Sequence, residues 1–215
     1  MDIWVPLENS PDVFQNYAFE LFGANLNVKD VYAPECIEST DSVILIFDVK
    51  YQQEFYSNFT PSNIPSQHLT QTIGNSCGTI ALLHILLNNQ FQPTVNNNEY
   101  DQVKNQGNID NIDVIRQLHD KYTDIIPNGL DMNGQETNEQ QKEDEMSENA
   151  FKDMMDTNLH YIVLQKVGNK MLLFDGRIDQ VIESEIQGSF GDYVIQLVTE
   201  NILDQYEMMA IELIK

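Results

Sequence analysis

The chain has 215 residues and is 41 % hydrophobic, so it can bury roughly 70 % of its unfolded surface and needs no disulfide or metal to hold a core. Its 34 acidic against 11 basic residues leave a formal charge of −23. That is the wrong sign for nucleic acid or an anionic membrane, and the right one for a basic partner drawn in by charge.

Cys36 and Cys77 make neither a metal-ligand spacing nor a secreted framework. Residues 1–20 carry Asp2, Glu8 and Asp12 and do not read as a leader. With no apolar run of about 18 residues, no membrane span is expected. A monomeric protein of the cytoplasm or nucleus, without cofactor or metal, is the expectation.

Ile3 to Leu7 reads as a short extended piece, followed by a helix that Ser10 can cap and Pro11 can open. Val13, Phe14, Tyr17, Ala18, Leu21 and Phe22 form its apolar stripe, and Gly23 ends it. Val43 to Phe47 reads as a buried strand, and 48–70 as polar and irregular. Cys77 to Leu87 is apolar around nearly its whole circumference, as a helix in the middle of a domain is. The Asn/Gln-rich stretch 94–108 reads as loop, and 109–122 as a helix burying Ile112, Ile115, Leu118 and Tyr122. Residues 127–149 hold seven acids and one base and have almost nothing to bury, so a mobile segment is expected there. Two strands, 160–166 and 171–175, flank Val167-Gly168-Asn169. A helix over 191–202 and a last alternating strand at 209–213 close the chain.

The hairpin brings chemistry together. If 167 and 168 make a two-residue turn, 164 faces 171, 162 faces 173 and 160 faces 175, with opposed Cβ atoms about 4.5–5.5 Å apart. His160 and Asp175 then meet at the open end of an apolar face, and the Cys77 helix is the obvious cover for that face. A helix N-terminus and a nearby imidazolium both lower a thiol pKa, which makes Cys77 a candidate nucleophile. Asp175 would orient the imidazole. Gly78 would let a substrate come close, and the Gln71 amide could join the Cys77 N–H as an oxyanion donor. His84 reads as a hydrogen-bonded core histidine, His68 and His119 as exposed, and Cys36 as an unreactive thiol. Trp4 reads as an anchor for the N-terminal strand, and Arg177 as a partner for local acids.

The string Gln71-Thr72-Ile73-Gly74-Asn75-Ser76-Cys77-Gly78-Thr79 closely resembles the nucleophile motif of the ubiquitin C-terminal hydrolases, a family of cysteine peptidases. Leu159-His160-Tyr161 resembles the family's histidine strand, and Phe174-Asp175-Gly176-Arg177 its aspartate motif. Trp4 to Glu8 and Asp30-Val31-Tyr32 resemble its N-terminal segments. The resemblance implies a triad of Cys77, His160 and Asp175 with Gln71 at the oxyanion hole. It implies Glu8 and Asp30 as positions that meet basic groups of ubiquitin. It further implies an α+β fold, a mostly antiparallel central sheet flanked by helices around a papain-like core, with a knotted backbone. Residues 1–215 would form one catalytic domain of the family's short branch, with 127–149 as the crossover loop over the active site. The implied activity is cleavage of small adducts and short or unfolded extensions after the last glycine of ubiquitin. A ubiquitin-binding module with little turnover, or the same hydrolysis on a ubiquitin-like modifier such as NEDD8, are the alternatives.

Overall fold

The computed structural model describes residues 3–37, 40–123 and 158–214. The acidic segment 127–149 lies outside the described residues, and with it part of the chain path that the expected knot would need.

The first helix, α1 (Pro11–Phe22), buries the expected stripe and starts on Pro11, but Ser10 makes no side-chain cap. Its backbone carbonyl accepts from Phe14 instead, as the first turn requires. The strands are β1 (Leu26–Asp30), β2 (Ser42–Asp48), β3 (Thr60–Pro61), β4 (Leu159–Val167), β5 (Lys170–Phe174), β6 (Ile182–Glu185) and β7 (Tyr206–Leu213). They form one sheet in the order β1-β7-β2-β4-β5-β6-β3, antiparallel throughout. The further helices are α2 (Gln52–Tyr56), α3 (Cys77–Asn88), α4 (Asn97–Gln106), α5 (Asp113–Lys121) and α6 (Phe190–Asn201). Among the described residues, no helix is long and apolar enough to cross a membrane.

Two expectations about secondary structure fail. The stretch 94–108 is no plain loop: α4 forms because Tyr100 and Val103, three apart, share one buried face. Asn96 and Gly107, both in the left-handed region, close its two ends. Within 48–70, α2 forms around the buried Phe55, whose ring meets Phe47 and Phe59.

The hairpin turn also sits one residue further on. Val167 stays in the strand and pairs with Lys170, so Gly168 and Asn169 make the turn, with Gly168 at φ 62°. Pairs therefore run Leu164 with Leu173 and Val163 with Phe174. Relative to the expected register, each residue moves by two positions, which preserves the face. His160 and Asp175 thus remain on one side but are diagonal rather than opposed.

The sheet separates two cores. Tyr161, Val163, Leu172, Phe174, Ile44 and Ile46 pack with α1 and α3. Ile162, Leu164, Met171, Leu173, Phe47 and Phe55 pack with α6. The Cys77 helix therefore covers the face opposite the one expected, because the odd-numbered residues of β4 are the ones turned to it.

Candidate active site

Strand β4 outruns β5. Their pairing begins at Val163 and Phe174, so 159–162 overhang on that side. The N-terminus of α3 lies beside this overhang, and the backbone of Tyr161 hydrogen-bonds the Cys77 thiol. His160 sits in the overhang and Asp175 just past the end of β5, which is how side chains rooted on the other face reach Cys77.

His160 Nε2 donates to Asp175 Oδ1 at 2.7 Å, and both side chains are fully buried. Among the described residues the other ring nitrogen, Nδ1, has no hydrogen bond of good geometry, yet the ring and the Cys77 thiol pull on each other electrostatically. Burial alone would push the thiol up. The nearby His160 ring, the Tyr161 backbone and Arg177 outweigh it, so the thiol is held below its ordinary value. Burial would likewise push His160 down, but Asp175 and Cys77 hold it above its ordinary value. Asp175 is pushed up by burial and brought below its ordinary value by His160, the Tyr56 hydroxyl and the Arg177 N–H. The three shifts share one direction: a thiolate and an imidazolium stabilise each other beside an ionised carboxylate. Such a pair can attack a carbonyl and then return a proton to a leaving group.

Gln71 lies on the segment that braces the aspartate turn. Its N–H donates to the Gly176 carbonyl at 2.8 Å, and His68 Nε2 donates to the Asp175 carbonyl at 2.9 Å. The Gln71 side chain gives one N–H to Ile73 O at 3.0 Å, and its Oε1 is buried with no hydrogen bond among the described residues. Gln71 is therefore next to the aspartate motif, with no bond to Cys77 itself. Gly78 does not open toward a substrate: Leu7 and Tyr161 fill the place a side chain would take.

A cavity of about 200 Å³ opens on Cys77, with Pro6, Leu7, Ile46, Leu159 and Tyr161 as apolar wall and Glu8 and Glu207 as acids. A second cavity of about 330 Å³ takes in Asp30, Tyr32 and Tyr206, and shares Asn9 and Glu207 with the first. Glu8 thus stands at the Cys77 cavity and exposed Asp30 at its neighbour. Glu207 escapes the sequence reading: it is one exposed acid of many, and only its pairing with Ile46, itself paired with Tyr161, brings it here. Gln52 and Tyr56, on Asp175 Oδ2, escape it too.

Two histidines differ from expectation. His119 is buried, accepts at Nδ1 from Thr79 at 2.8 Å and donates from Nε2 to Val5 O at 2.7 Å. His68 is half-buried against the ring of His84. His84 is buried and accepts from the Leu69 N–H at 2.9 Å, and Cys36 and Cys77 are both free thiols, as expected. Trp4 is buried, and its backbone N–H donates to the Gly74 carbonyl at 2.9 Å. Among the described residues, no acid pairs with the Arg177 side chain, and no group of three or more His, Cys, Asp or Glu converges as metal ligands would.

Residues 4–203 match the sequence profile described as ubiquitin carboxyl-terminal hydrolase, family 1. A ubiquitin carboxyl-terminal hydrolase of Aplysia californica is 33 % identical over 97 residues, 40 % of this chain and 45 % of that one. The match thus spans less than half of that relative's length. Ubiquitin carboxyl-terminal hydrolase YUH1 of Saccharomyces cerevisiae is 25 % identical over 185 residues, 80 % of this chain and 74 % of that one. Among solved structures, the catalytic domain of Trichinella spiralis UCH37 bound to ubiquitin vinyl methyl ester is similar at a TM-score of 0.65. It shares 15 % identity over 98 % of this chain and 96 % of that one, a likeness of fold.

Proposed function

The chain belongs to ubiquitin carboxyl-terminal hydrolase family 1, and on that premise we propose that it is a thiol hydrolase cleaving after the C-terminal glycine of ubiquitin. The observation that carries this reading is the buried run from Cys77 through His160 to Asp175, with the thiol pulled down and the imidazole pulled up.

The Cys77 thiolate attacks the carbonyl carbon of the terminal glycine. The oxyanion that forms is received by the Cys77 N–H at the start of α3, together with the Gln71 amide once it turns from Ile73. His160, as imidazolium, gives its proton to the departing amine or alcohol, and the glycine stays on sulfur as a thioester. His160, now neutral, takes a proton from water, whose oxygen attacks the thioester and frees the glycine carboxylate. Sulfur leaves as thiolate beside a reprotonated ring. Asp175 holds the ring through Nε2 in both halves.

The apolar cavity at Cys77 suits small residues, and the acids beyond it suit a basic stretch following them: Glu8 and Glu207 first, then Asp30. A slim, basic tail ending in glycine fits that order. In this reading residues 1–215 act as one catalytic domain whose preferred substrates carry small adducts or short, unfolded extensions on ubiquitin.

An electrophile on the ubiquitin C-terminus should label Cys77 and leave Cys77→Ala untouched, and wild type should release a fluorophore from the same tail. Binding without turnover would leave a ubiquitin-binding module. Faster release from a NEDD8 tail would keep the chemistry and change the modifier. Neither labelling nor release at neutral pH would remove the hydrolase reading.

A further inference from the structure

Asp175 is buried and its carboxylate is fully occupied by donors. Oδ1 accepts from His160 Nε2 at 2.7 Å and from the Arg177 N–H at 2.8 Å. Oδ2 accepts from the Tyr56 hydroxyl at 2.7 Å and from Gln52 Nε2 at 3.3 Å. Gln52 and Tyr56 are the first and last residues of α2, four apart and so on one face of it. Phe55 roots that short helix in the core against Phe47 and Phe59, so the two donors are held by packing.

The steps of hydrolysis given above make no use of Tyr56. Its hydroxyl cannot ionise near neutral pH, because burial and the adjacent Asp175 charge push its pKa far up. It is a permanent donor aimed at the carboxylate oxygen that His160 does not use. An O–H on a carboxylate at this distance takes up part of the negative charge. What it takes up is withheld from His160.

We propose that Tyr56 is a positioning residue for the His160–Asp175 pair: its hydroxyl fixes the plane of the carboxylate and shares its charge, which limits how tightly the imidazole keeps its proton. Gln52 helps from the same helix through its longer bond. Without the Tyr56 hydroxyl, more of the Asp175 charge falls on His160. The imidazolium then persists to higher pH, the thiolate it stabilises appears at lower pH, and the ring becomes a poorer acid toward the leaving group. Among the described residues, the other groups facing the pair are Cys77 from α3, Arg177 beyond the turn, His68 on the Asp175 carbonyl and His84 behind Phe174. All of them remain when only the hydroxyl is removed.

The kinetic consequence rests on the thiol-hydrolase reading, but the electrostatic one can be read without substrate. Iodoacetamide alkylation of Cys77 followed against pH gives the range over which the ion pair exists. For Tyr56→Phe that range should widen at both ends, with Gln52→Leu widening it less. On a ubiquitin-tail fluorophore, Tyr56→Phe should lower kcat on the order of tenfold, as losing one hydrogen bond to a charged group does, with KM within about twofold. An unchanged or narrowed range in Tyr56→Phe overturns the proposal. So does a loss carried by KM, or a wild-type thiol titrating as an ordinary one. Should Tyr56→Phe not fold, an unchanged range in Gln52→Leu overturns it in its place. Wild type that alkylates over an ion-pair range but releases no tail would sink the proposed function alone.

Discussion

Gly176 and Gln71 approach each other more closely than a side chain at position 176 would allow. The Gln71 N–H donates to the Gly176 carbonyl at 2.8 Å, and a Cβ built on Gly176 would stand 2.9 Å from Gln71 Cβ and 2.9 Å from Ile80 Cγ2. Both neighbours are held: Ile80 is buried in α3, and Gln71 follows a segment tied to Asn88 and His84. The aspartate turn, the segment before the nucleophile and α3 therefore meet where only glycine fits. Gly176→Ala should cost about 1–3 kcal/mol in urea denaturation. It should also shift the Gln71 amide, so kcat on a ubiquitin-tail substrate should fall further than it does in a surface variant of equal stability. Equal kcat in the two would show that the contact serves the fold alone.

His84 makes stability depend on acidity. It is buried, accepts the Leu69 N–H at Nε2 and, among the described residues, has an Nδ1 with no hydrogen bond. Burial is the chief reason its pKa falls from 6.5 to about 3, with the nearby His68 charge adding to it. Between those values the unfolded chain binds a proton that the folded one refuses. His84 thus supports the fold fully above about pH 6.5, and that support is lost as pH falls through the window, at up to about 1.4 kcal/mol per pH unit. His119, lowered chiefly by burial, works in the same direction. His84→Gln keeps an acceptor for Leu69 and cannot titrate, so its urea midpoint should fall less steeply from pH 6 to pH 4. An unchanged slope would mean that other groups cause the acid loss.

How much of this was legible in the chain depends on how far each cause reaches. α1 and α3 are readable because their causes are local: a stripe bounded by Pro11 and Gly23, and a run too apolar for any surface. The pairing of His160 with Asp175 needs only the hairpin, and it survives a misplaced turn because a shift of two positions keeps the face. α4 is hidden by its polarity, since only Tyr100 and Val103 are anchored. The five-residue α2 is too short to show a period, so Gln52 and Tyr56 are hidden with it. His119 and His68 look exposed in the chain because the carbonyls that bury them, of Val5 and Asp175, are 114 and 107 positions away. Which face α3 covers is decided by the whole sheet, and no single strand shows it.

Thr79 and His119 tie the N-terminal segment to the nucleophile helix. Thr79 lies two residues after Cys77 and donates to His119 Nδ1, while Nε2 holds Val5 in the segment that carries Leu7 and Glu8. Tyr17 joins from α1, its hydroxyl 3.2 Å from Thr79 Oγ1. Thr79→Val keeps the shape and leaves His119 and Tyr17 short of a buried partner, which should cost about 1–3 kcal/mol. Hydrogen exchange at Trp4, whose N–H bonds Gly74, should speed up more than exchange within β2. Equal changes at both places would mean that the network stabilises the domain generally and does not fasten that segment.

Glu207 joins the two cavities beside Cys77, and its carboxylate accepts from Asn9, which also lines both. It is exposed, so its pull on a basic tail acts through water and is screened over about 8 Å at physiological ionic strength. With a chain charge of −23 behind it, the association rate of a ubiquitin-tail substrate should fall as salt is added. Glu207→Gln should raise KM several-fold, about the size of one exposed charge contact, and leave kcat near wild type, because the lost contact is made equally before and during the reaction. Asp30→Asn, farther from Cys77, its carboxylate accepting from Tyr32, should do the same to a smaller degree, and both variants should be less sensitive to salt than wild type. A rate independent of salt would remove charge from the account of how substrate arrives. A loss confined to kcat in Glu207→Gln would move that residue from the tail's path into the reaction itself.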